Sequence, residues 1–353
     1  MMKTTHRLLA GDARTLDGVP AASVHLVVTS PPYPMVAMWD ETFRRMSHDA
    51  AVALDAGDGA AAFEAMHVQL DRVWRSCARV LVPGGLLCVN IGDATRTVDG
   101  TFQLFPNHAR VLQAAMAQGL TVLPDVLWHK PTNSPTKFMG SGMLPAGAYV
   151  TYEHEYVLIL RKGPRRTFRG EDAAARRRSA FFWEERNAWF SDLWRDLRGT
   201  RQRLDAAARK RSGAYPLELP LRLILMHSLQ GEVVLDPFAG TGTTEAAALA
   251  TGRSSVGVEW DESLLPHRHA ALESAVAEGA ARARARQDHH AAFVAARSAA
   301  ARPTKHHNPG LDVPVVTSQE RSLVLTRPVS LGPERDSVRT AHHAPLESSV
   351  RGG

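Results

Sequence analysis

Val233-Val234-Leu235-Asp236-Pro237-Phe238-Ala239-Gly240-Thr241-Gly242-Thr243 passes from a β-branched apolar run into a glycine-rich turn, and Thr244 to Ala250 continue it as an apolar helix. Strand, tight turn and helix in that order are the repeating unit of a parallel α/β sheet. Glycines let the backbone approach a ligand closely, and the helix start offers unpaired N–H donors. The next apolar strand, Ser255 to Val258, delivers Glu259 to the place where nucleotide-type sites accept hydrogen bonds from ribose hydroxyls. No Lys follows the glycines, so this is not a phosphate-cradling P-loop, and Glu245 stands where a dinucleotide fingerprint has its third glycine. Two readings stay open: a site for a ligand with a ribose and no pyrophosphate, or a strand–helix turn with no ligand.

Further strands and helices alternate upstream. Residues 24–28 read as a buried strand, 62–81 as a helix with Phe63, Met66, Leu70, Val73, Trp74 and Cys77 on one face, and 86–91 as a second buried strand. Pro83-Gly84-Gly85 reads as the stop between the last two, and 35–62 as a mobile loop. A helix at about 107–118, strands near 121–128 and 155–161, and a Pro-flanked apolar helix over 216–229 complete the pattern, which is that of a doubly wound parallel sheet. From about Ala275, alternating Ala and Arg, clustered His and scattered Pro leave little to bury, and a disordered or weakly helical tail is expected.

At 353 residues, 44% of them hydrophobic, the chain has room for one large domain with an insert. Lys and Arg number 42 against 36 acids, a net charge of +6 that permits a polyanionic partner without requiring one. Two cysteines, Cys77 and Cys88, make a disulfide framework implausible. No signal peptide and no apolar run long enough for a membrane span are visible, so a cytoplasmic protein without membrane attachment is expected. No cluster has zinc-ligand spacing, and no metal is expected.

The second informative stretch is Thr29-Ser30-Pro31-Pro32-Tyr33, at the end of a strand. Consecutive prolines fix φ and hold the preceding residue extended. They aim the Ser30 side chain and the Pro31 carbonyl, and Tyr33 adds a flat face with a polar tip. An amine on an aromatic base is a poor nucleophile because its lone pair is delocalised into the ring. Two acceptors gripping its N–H bonds draw it toward tetrahedral geometry, and an aromatic ring can stack on a base swung out of a duplex. The plainer alternative is a rigid Pro-Pro turn with a packing tyrosine. Carbon-5 methylation of cytosine needs a thiolate, and Cys77 on a helical apolar face and Cys88 in a buried strand both read as core.

Taken together, Ser30-Pro31-Pro32-Tyr33 and Phe238-Ala239-Gly240-Thr241-Gly242 resemble the amino-methyltransferases of DNA, specifically the circularly permuted β group, in which the catalytic motif precedes the cofactor motif. Gly11-Asp12, the helix end 79–85 and the segment 215–220 are similar to further motifs of that group, and the resemblance covers roughly residues 8–270. It implies a Rossmann-like, S-adenosylmethionine-dependent methyltransferase fold, circularly permuted, with a basic target-recognition insert. It implies that Asp12 contacts the cofactor adenine, Glu259 takes the ribose hydroxyls, Asp236 lies near the amino-acid end, and Pro237, Phe238, Gly240, Thr241 and Gly242 shape the pocket. Ser30, Pro31, Pro32 and Tyr33 are the implied catalytic residues. A Ser at the first catalytic position is associated in this group with cytosine N4, and an Asp with adenine N6.

The expected division is therefore a catalytic half over 1–162, a target-recognition segment over 163–212, a cofactor half over 213–274 and the tail over 275–353. Double-stranded DNA is the expected partner, held by Arg165, Arg166, Arg176, Arg177, Arg178 and Arg201 within a segment that mixes cations with aromatics. In that segment Trp189, Phe190 and Trp194 read as packing residues. A cognate restriction endonuclease is a conceivable further partner. Rival readings are an adenine-N6 enzyme, a methyltransferase for an RNA base or a protein glutamine amide, and a catalytically silent DNA-binding or cofactor-sensing protein.

Overall fold

The computed structural model describes residues 1–130, 139–199 and 215–346. The chain opens with strands β1 (Met2–Ala10) and β2 (Val24–Thr29), then short helices α1 (Asp40–Met46) and α2 (His48–Asp55). The long α3 (Gly59–Val80) leads into β3 (Leu81–Ile91), the hairpin β4 (Ala94–Val98) and β5 (Thr101–Phe105), and α4 (Asn107–Ala117). Next come β6 (Leu120–Val122), β7 (Val126–His129), the small hairpin β8 (Met139–Gly140) and β9 (Ala148–Tyr149), and β10 (His154–Lys162). Helices α5 (Gly170–Arg178) and α6 (Trp183–Trp189) precede β11 (Leu193–Trp194). The glycine-rich unit follows as α7 (Glu218–His227), β12 (Val233–Asp236), α8 (Thr243–Ala250) and β13 (Ser254–Glu259). Helix α9 (Leu265–Ala299) and strands β14 (His306–Asn308), β15 (Val313–Val315), β16 (Thr326–Leu331) and β17 (Val338–Pro345) end the described chain.

The main sheet runs β11-β7-β10-β3-β2-β12-β13-β1-β17-β16, with β6 also paired to β10. Its centre, β3-β2-β12-β13-β1, is parallel throughout. Strand β12 comes from the second half of the chain yet slots between β2 and β13, with Val234 opposite Leu26 and Leu235 opposite Val27. The permuted order of the motifs is thus closed up in space, and the sheet reverses its winding at the β2–β12 junction. In open α/β sheets that junction leaves a crevice at the carboxyl ends of the strands.

Both faces are covered, as parallel strands require. Side chains alternate along β3. Leu87, Val89 and Ile91 pack with Met66, Leu70, Val73 and Cys77 of α3 on one face. Cys88 packs with Leu219, Leu223 and Ala247 on the other. The doubly wound α/β class read from the sequence is the one observed. Helix α3 begins before Ala62 because the Asp58 carboxylate accepts the Ala61 N–H and caps it. The Pro83-Gly84-Gly85 run lies inside β3 rather than ahead of it, beside a shift in the β2–β3 register. There Gly84, at φ +76°, passes so close to Arg166 and the Pro164 carbonyl that no side chain fits.

Two expectations are corrected. Residues 35–62 are not a mobile loop: α1 and α2 lie there, burying Phe43, Ala50 and Ala53, with the Ser47 hydroxyl accepting from Ala50 N–H at the start of α2. Each helix is too short to show a period in sequence. The stretch after 275 is not a disordered tail: through residue 346 it is α9 and four strands, and β17 zips along β1 from Met2 opposite His343 to Arg7 opposite Val338. Its few apolar residues converge, since Leu311, Val315, Leu323, Leu325 and Leu346 form one cluster with Phe182 of the insert. In the insert, Trp189 and Trp194 are buried as expected, whereas Phe190 is 41% exposed.

Candidate active site

Strands β2 and β12 lie side by side, so the residues that end them meet. The Thr29 hydroxyl donates to Asp236 Oδ1 at 2.7 Å, joining the two motifs across 207 residues of chain. The Phe238 N–H donates to the same oxygen, while the Thr244 and Tyr215 hydroxyls donate to Oδ2. Burial pushes the Asp236 carboxyl up, and these bonds oppose it. With four protein donors around it, Asp236 fastens the glycine-rich turn to the end of β2.

A cavity of about 460 Å³ opens directly above, within the usual range for a small-molecule site. Asp12, Ser30, Pro32 and Asp236 line it, as do Pro237, Phe238, Gly240, Thr241 and Glu259. Pro31 is buried beside it, and Gly242 lies under the turn as the residue before α8, at φ +84°. A Cβ on Gly242 would stand 3.1 Å from the Arg268 Cα, so the turn needs glycine there for conformation and for space. Glu245, in place of a third glycine, points away from the cavity into a buried 2.6 Å ion pair with Arg268. That pair fills the space next to Gly257, where a Cβ would collide with Glu245 and Arg268.

Glu259 reaches the cavity at the end of β13. Its two oxygens accept from Gly240 N–H and Asp261 N–H, each at 2.9 Å, which leaves further lone pairs for a ligand's donors. Burial raises its pKa, and those bonds work against the rise. Asp12 follows β1 on the neighbouring strand end, one residue after Gly11, whose N–H donates to the Glu259 carbonyl at 3.0 Å. Burial would push the Asp12 carboxyl up, but Arg14, donating through Nε at 2.8 Å and Nη2 at 2.6 Å, holds it below its usual value. Asp12 thus offers the cavity a charged acceptor.

Just past the end of β2, Ser30 Oγ lies 3.0 Å from Tyr33 Oη. The phenol also contacts two residues that the sequence did not single out: it donates to Glu155 Oε2 at 3.0 Å and accepts from Asn90 Nδ2 at 2.9 Å. Burial, reinforced by the Glu155 charge, pushes the Tyr33 phenol well above its ordinary pKa. The cysteines read as core are free and fully buried, and burial raises both thiols. Among the described residues, no group of three or more His, Cys, Asp or Glu is placed to hold a metal ion, and no helix is long and apolar enough to cross a membrane.

Other wall residues also went unassigned. Trp39, Thr42, Arg45 and Met46, in and beside α1, close one side. Trp260, next to Glu259, lies under the Arg45 guanidinium at 4.9 Å. Trp260 was detectable as the large aromatic following the acid, whereas the α1 residues carried no signal while their stretch read as a loop. Trp39 both packs on the core and lines the cavity.

Five of the six arginines expected at DNA are far from this cavity. Strand β10 runs antiparallel to β3, with Tyr156 opposite Ile91 and Arg161 opposite Leu86, so it leaves the sheet at the amino ends of the parallel strands. There Arg166 pairs with Glu232, just ahead of β12. Arg165 is exposed next to it, and the α5 residues Arg176, Arg177 and Arg178 continue at that end, where the Arg178 carbonyl accepts from Val324 N–H. The sequence expected these residues at DNA, and the structure places them at the amino ends of the parallel strands, away from the cavity. The chain returns to the cavity end through β11, which is parallel to β7. Arg195 and Arg198 are exposed beyond it, in a stretch bound to β7 by Trp128 Nε1 donating to the Leu197 carbonyl. Arg201 lies outside the described residues.

Three comparisons bear on what such a site is. The family model described as DNA methylase, of the N6/N4 methyltransferases, matches residues 24–268. The type II methyltransferase M.MthZI of Methanothermobacter thermautotrophicus is 52% identical over 263 residues, 74% of either chain. The type II methyltransferase M.MjaI of Methanocaldococcus jannaschii is 45% identical over 274 residues, 74% of this chain and 89% of that one. The crystal structure of a DNA modification methylase of Thermus thermophilus, complexed with S-adenosyl-L-methionine, superposes with a TM-score of 0.60 at 36% identity, covering 77% of this chain and 94% of that one.

Proposed function

The chain belongs to the N6/N4 DNA methylase family and is an S-adenosylmethionine-dependent DNA methyltransferase, and within that activity we propose that it methylates the N4 amine of cytosine in a specific duplex sequence. The observation that carries the reading is the Thr29–Asp236 bond, which brings Ser30 and the glycine-rich turn to one cavity.

The residues present fit the cofactor. Glu259 offers acceptors for ribose hydroxyls, Asp12 a charged acceptor for the adenine amine, and Phe238 an apolar wall. When bound, S-adenosylmethionine supplies a methyl carbon activated by a sulfonium leaving group. This chain then has to place and polarise the base. Ser30 Oγ and the Pro31 carbonyl accept the amine's N–H bonds, and Tyr33, its hydroxyl anchored inside and its ring next in the chain to the lining residue Pro32, is the ring proposed to stack on the extruded base. Alignment of two reactants can lower a barrier by roughly 7–11 kcal/mol. Preference for cytosine over adenine rests on Ser30 in the first catalytic position.

Duplex DNA would lie across the carboxyl ends of the strands. Exposed Arg195 and Arg198 face that side, and so does the β8–β9 hairpin, whose Tyr149 stacks on Phe102 of β5 at 4.6 Å. Methylation of the recognition sequence of a partner endonuclease is the proposed biological setting, in keeping with the type II relatives. The test is to incubate unmethylated genomic DNA with the protein and trideuteromethyl cofactor, digest it to nucleosides and weigh them. Label in N4-methylcytosine is expected; label confined to N6-methyladenine refutes the cytosine assignment.

A further inference from the structure

We propose that Glu155 and Asn90 are positioning residues that fix the direction of the hydroxyl hydrogens of Tyr33 and Ser30, so that Ser30 meets the target amine only as an acceptor. The proposal deepens the reading of Ser30 given above and rests on it.

A carboxylate can only accept hydrogen bonds, and a primary amide nitrogen can only donate. Asn90 Nδ2 commits its two hydrogens, one to Glu155 Oε2 at 2.7 Å and one to Tyr33 Oη at 2.9 Å. The reversed amide would set its oxygen against the carboxylate, and the observed orientation is kept although Asn90 Oδ1 is buried without a hydrogen-bond partner. Tyr33 therefore receives a hydrogen from Asn90 and gives its own to Glu155 at 3.0 Å. The remaining contact, Ser30 Oγ to Tyr33 Oη at 3.0 Å, is then satisfied only by the serine hydrogen pointing at the tyrosine. What Ser30 turns to the cavity is lone pairs.

The opposite polarity would be harmful. A hydroxyl hydrogen aimed at the amine would compete for the lone pair that must attack the methyl carbon. Three further features hold the arrangement. Lys130 Nζ donates to Glu155 Oε1 at 2.7 Å, which keeps that oxygen occupied. Asn90 is 2% exposed. Gly92 leaves room for both partners, since a Cβ there would stand 3.1 Å from Tyr33 Cε2 and 3.3 Å from Glu155 Cγ.

Glu155→Gln tests the idea because it keeps the shape and removes the carboxylate oxygen that accepts from both Tyr33 and Asn90. Lys130 draws the new amide oxygen to its own side, so an NH2 donor takes the place of Oε2 and faces both former donors. The Tyr33 hydrogen loses the acceptor that fixed its direction, and the serine hydrogen is no longer held away from the amine. The assay is single-turnover methyl transfer from tritiated cofactor to unmethylated genomic DNA. Melting temperature, cofactor affinity and DNA affinity in the presence of sinefungin are measured alongside. The expected result is a rate about 10²-fold lower with the three control values unchanged.

The deciding measurement repeats the substitution in a Tyr33→Phe background, where the chain to Ser30 is already cut. There Glu155→Gln should change the rate by less than about threefold. A merely structural glutamate would cost the same in both backgrounds, and that result overturns the proposal, as does a Glu155→Gln rate within about threefold of the parent. Should Glu155→Gln fail to fold, Asn90→Ala in the same cycle reads the same coupling, and equal losses in both backgrounds again overturn it. A parent protein that labels no DNA at all sinks the methyltransferase reading and this proposal together. A parent that labels DNA while the variants match it sinks the proposal alone.

Discussion

Thr29→Val removes one hydroxyl and nearly nothing else. The side chain is fully buried and its Oγ1 donates to Asp236 Oδ1 at 2.7 Å, so valine keeps the volume and takes one donor from a buried carboxylate. Leaving such a group short of a partner costs about 1–3 kcal/mol. For a large domain this lowers the melting temperature by roughly 2–4 °C for each kcal/mol. The kinetic effect should be larger than the stability effect suggests. This bond registers the end of β2, which carries Ser30, against the turn that carries Phe238, and a misplacement near 1 Å can cost about 10²-fold in rate. Cofactor affinity should change far less, because Glu259 and Gly240 keep their bond. The assay compares single-turnover transfer with cofactor binding by calorimetry, with Thr29→Ser as the control that restores the hydroxyl. A valine variant that transfers at the parental rate, or a serine variant as slow as valine, refutes the reasoning.

Further outcomes follow from other parts of the molecule. Gly240→Val places a β-branched residue at φ +52° in the turn and should abolish cofactor binding in calorimetry while leaving a folded protein by circular dichroism. Replacing Arg195 and Arg198 by Ala should weaken DNA binding and flatten its salt dependence, whereas replacing Arg176, Arg177 and Arg178 should change neither. His6 and His67 are held neutral by burial, with pKa values lowered from 6.5 to about 3. The unfolded chain binds their protons first, so stability is fully present above pH 6.5 and is lost as the pH falls toward 3, by about 1.4 kcal/mol for each at pH 5.5. His290 works the other way, since Glu184 and the Pro314 carbonyl hold its pKa up against burial, but it offsets only part of the loss. Melting should accordingly occur at lower temperature at pH 5.5 than at pH 7.5; an unchanged or higher value contradicts this. Ending the chain at residue 299 uncovers the edge of β1 and the Leu311, Leu323 and Leu325 cluster, and should yield an aggregating or much less stable protein in a solubility and melting assay.

Where local chemistry decides conformation, the sequence was legible. The apolar run 233–235, the glycines at 240 and 242 and the spacing from Phe63 to Cys77 specify strand, turn and helix without reference to distant residues. The junction of the two motifs was legible only through the resemblance, because nothing local says that β12 inserts beside β2. Asn90, Glu155 and Lys130 carried no signal, since each gains its meaning from a partner on another strand. For the arginines at 165–178 the charge is visible in sequence, but the direction in which β10 leaves the sheet is not. The stretch after 275 looked unable to fold because its apolar residues are sparse, and it finds its core on the insert and on β1.

The most direct measurement is a crystal structure of the protein with sinefungin and a duplex carrying its methylation sequence. An extruded cytosine should stack on Tyr33, with its N4 within hydrogen-bond distance of Ser30 Oγ and the Pro31 carbonyl, and the cofactor analogue should contact Glu259 and Asp12. A target base seated away from Ser30, or DNA lying on the Arg176 face, would contradict it.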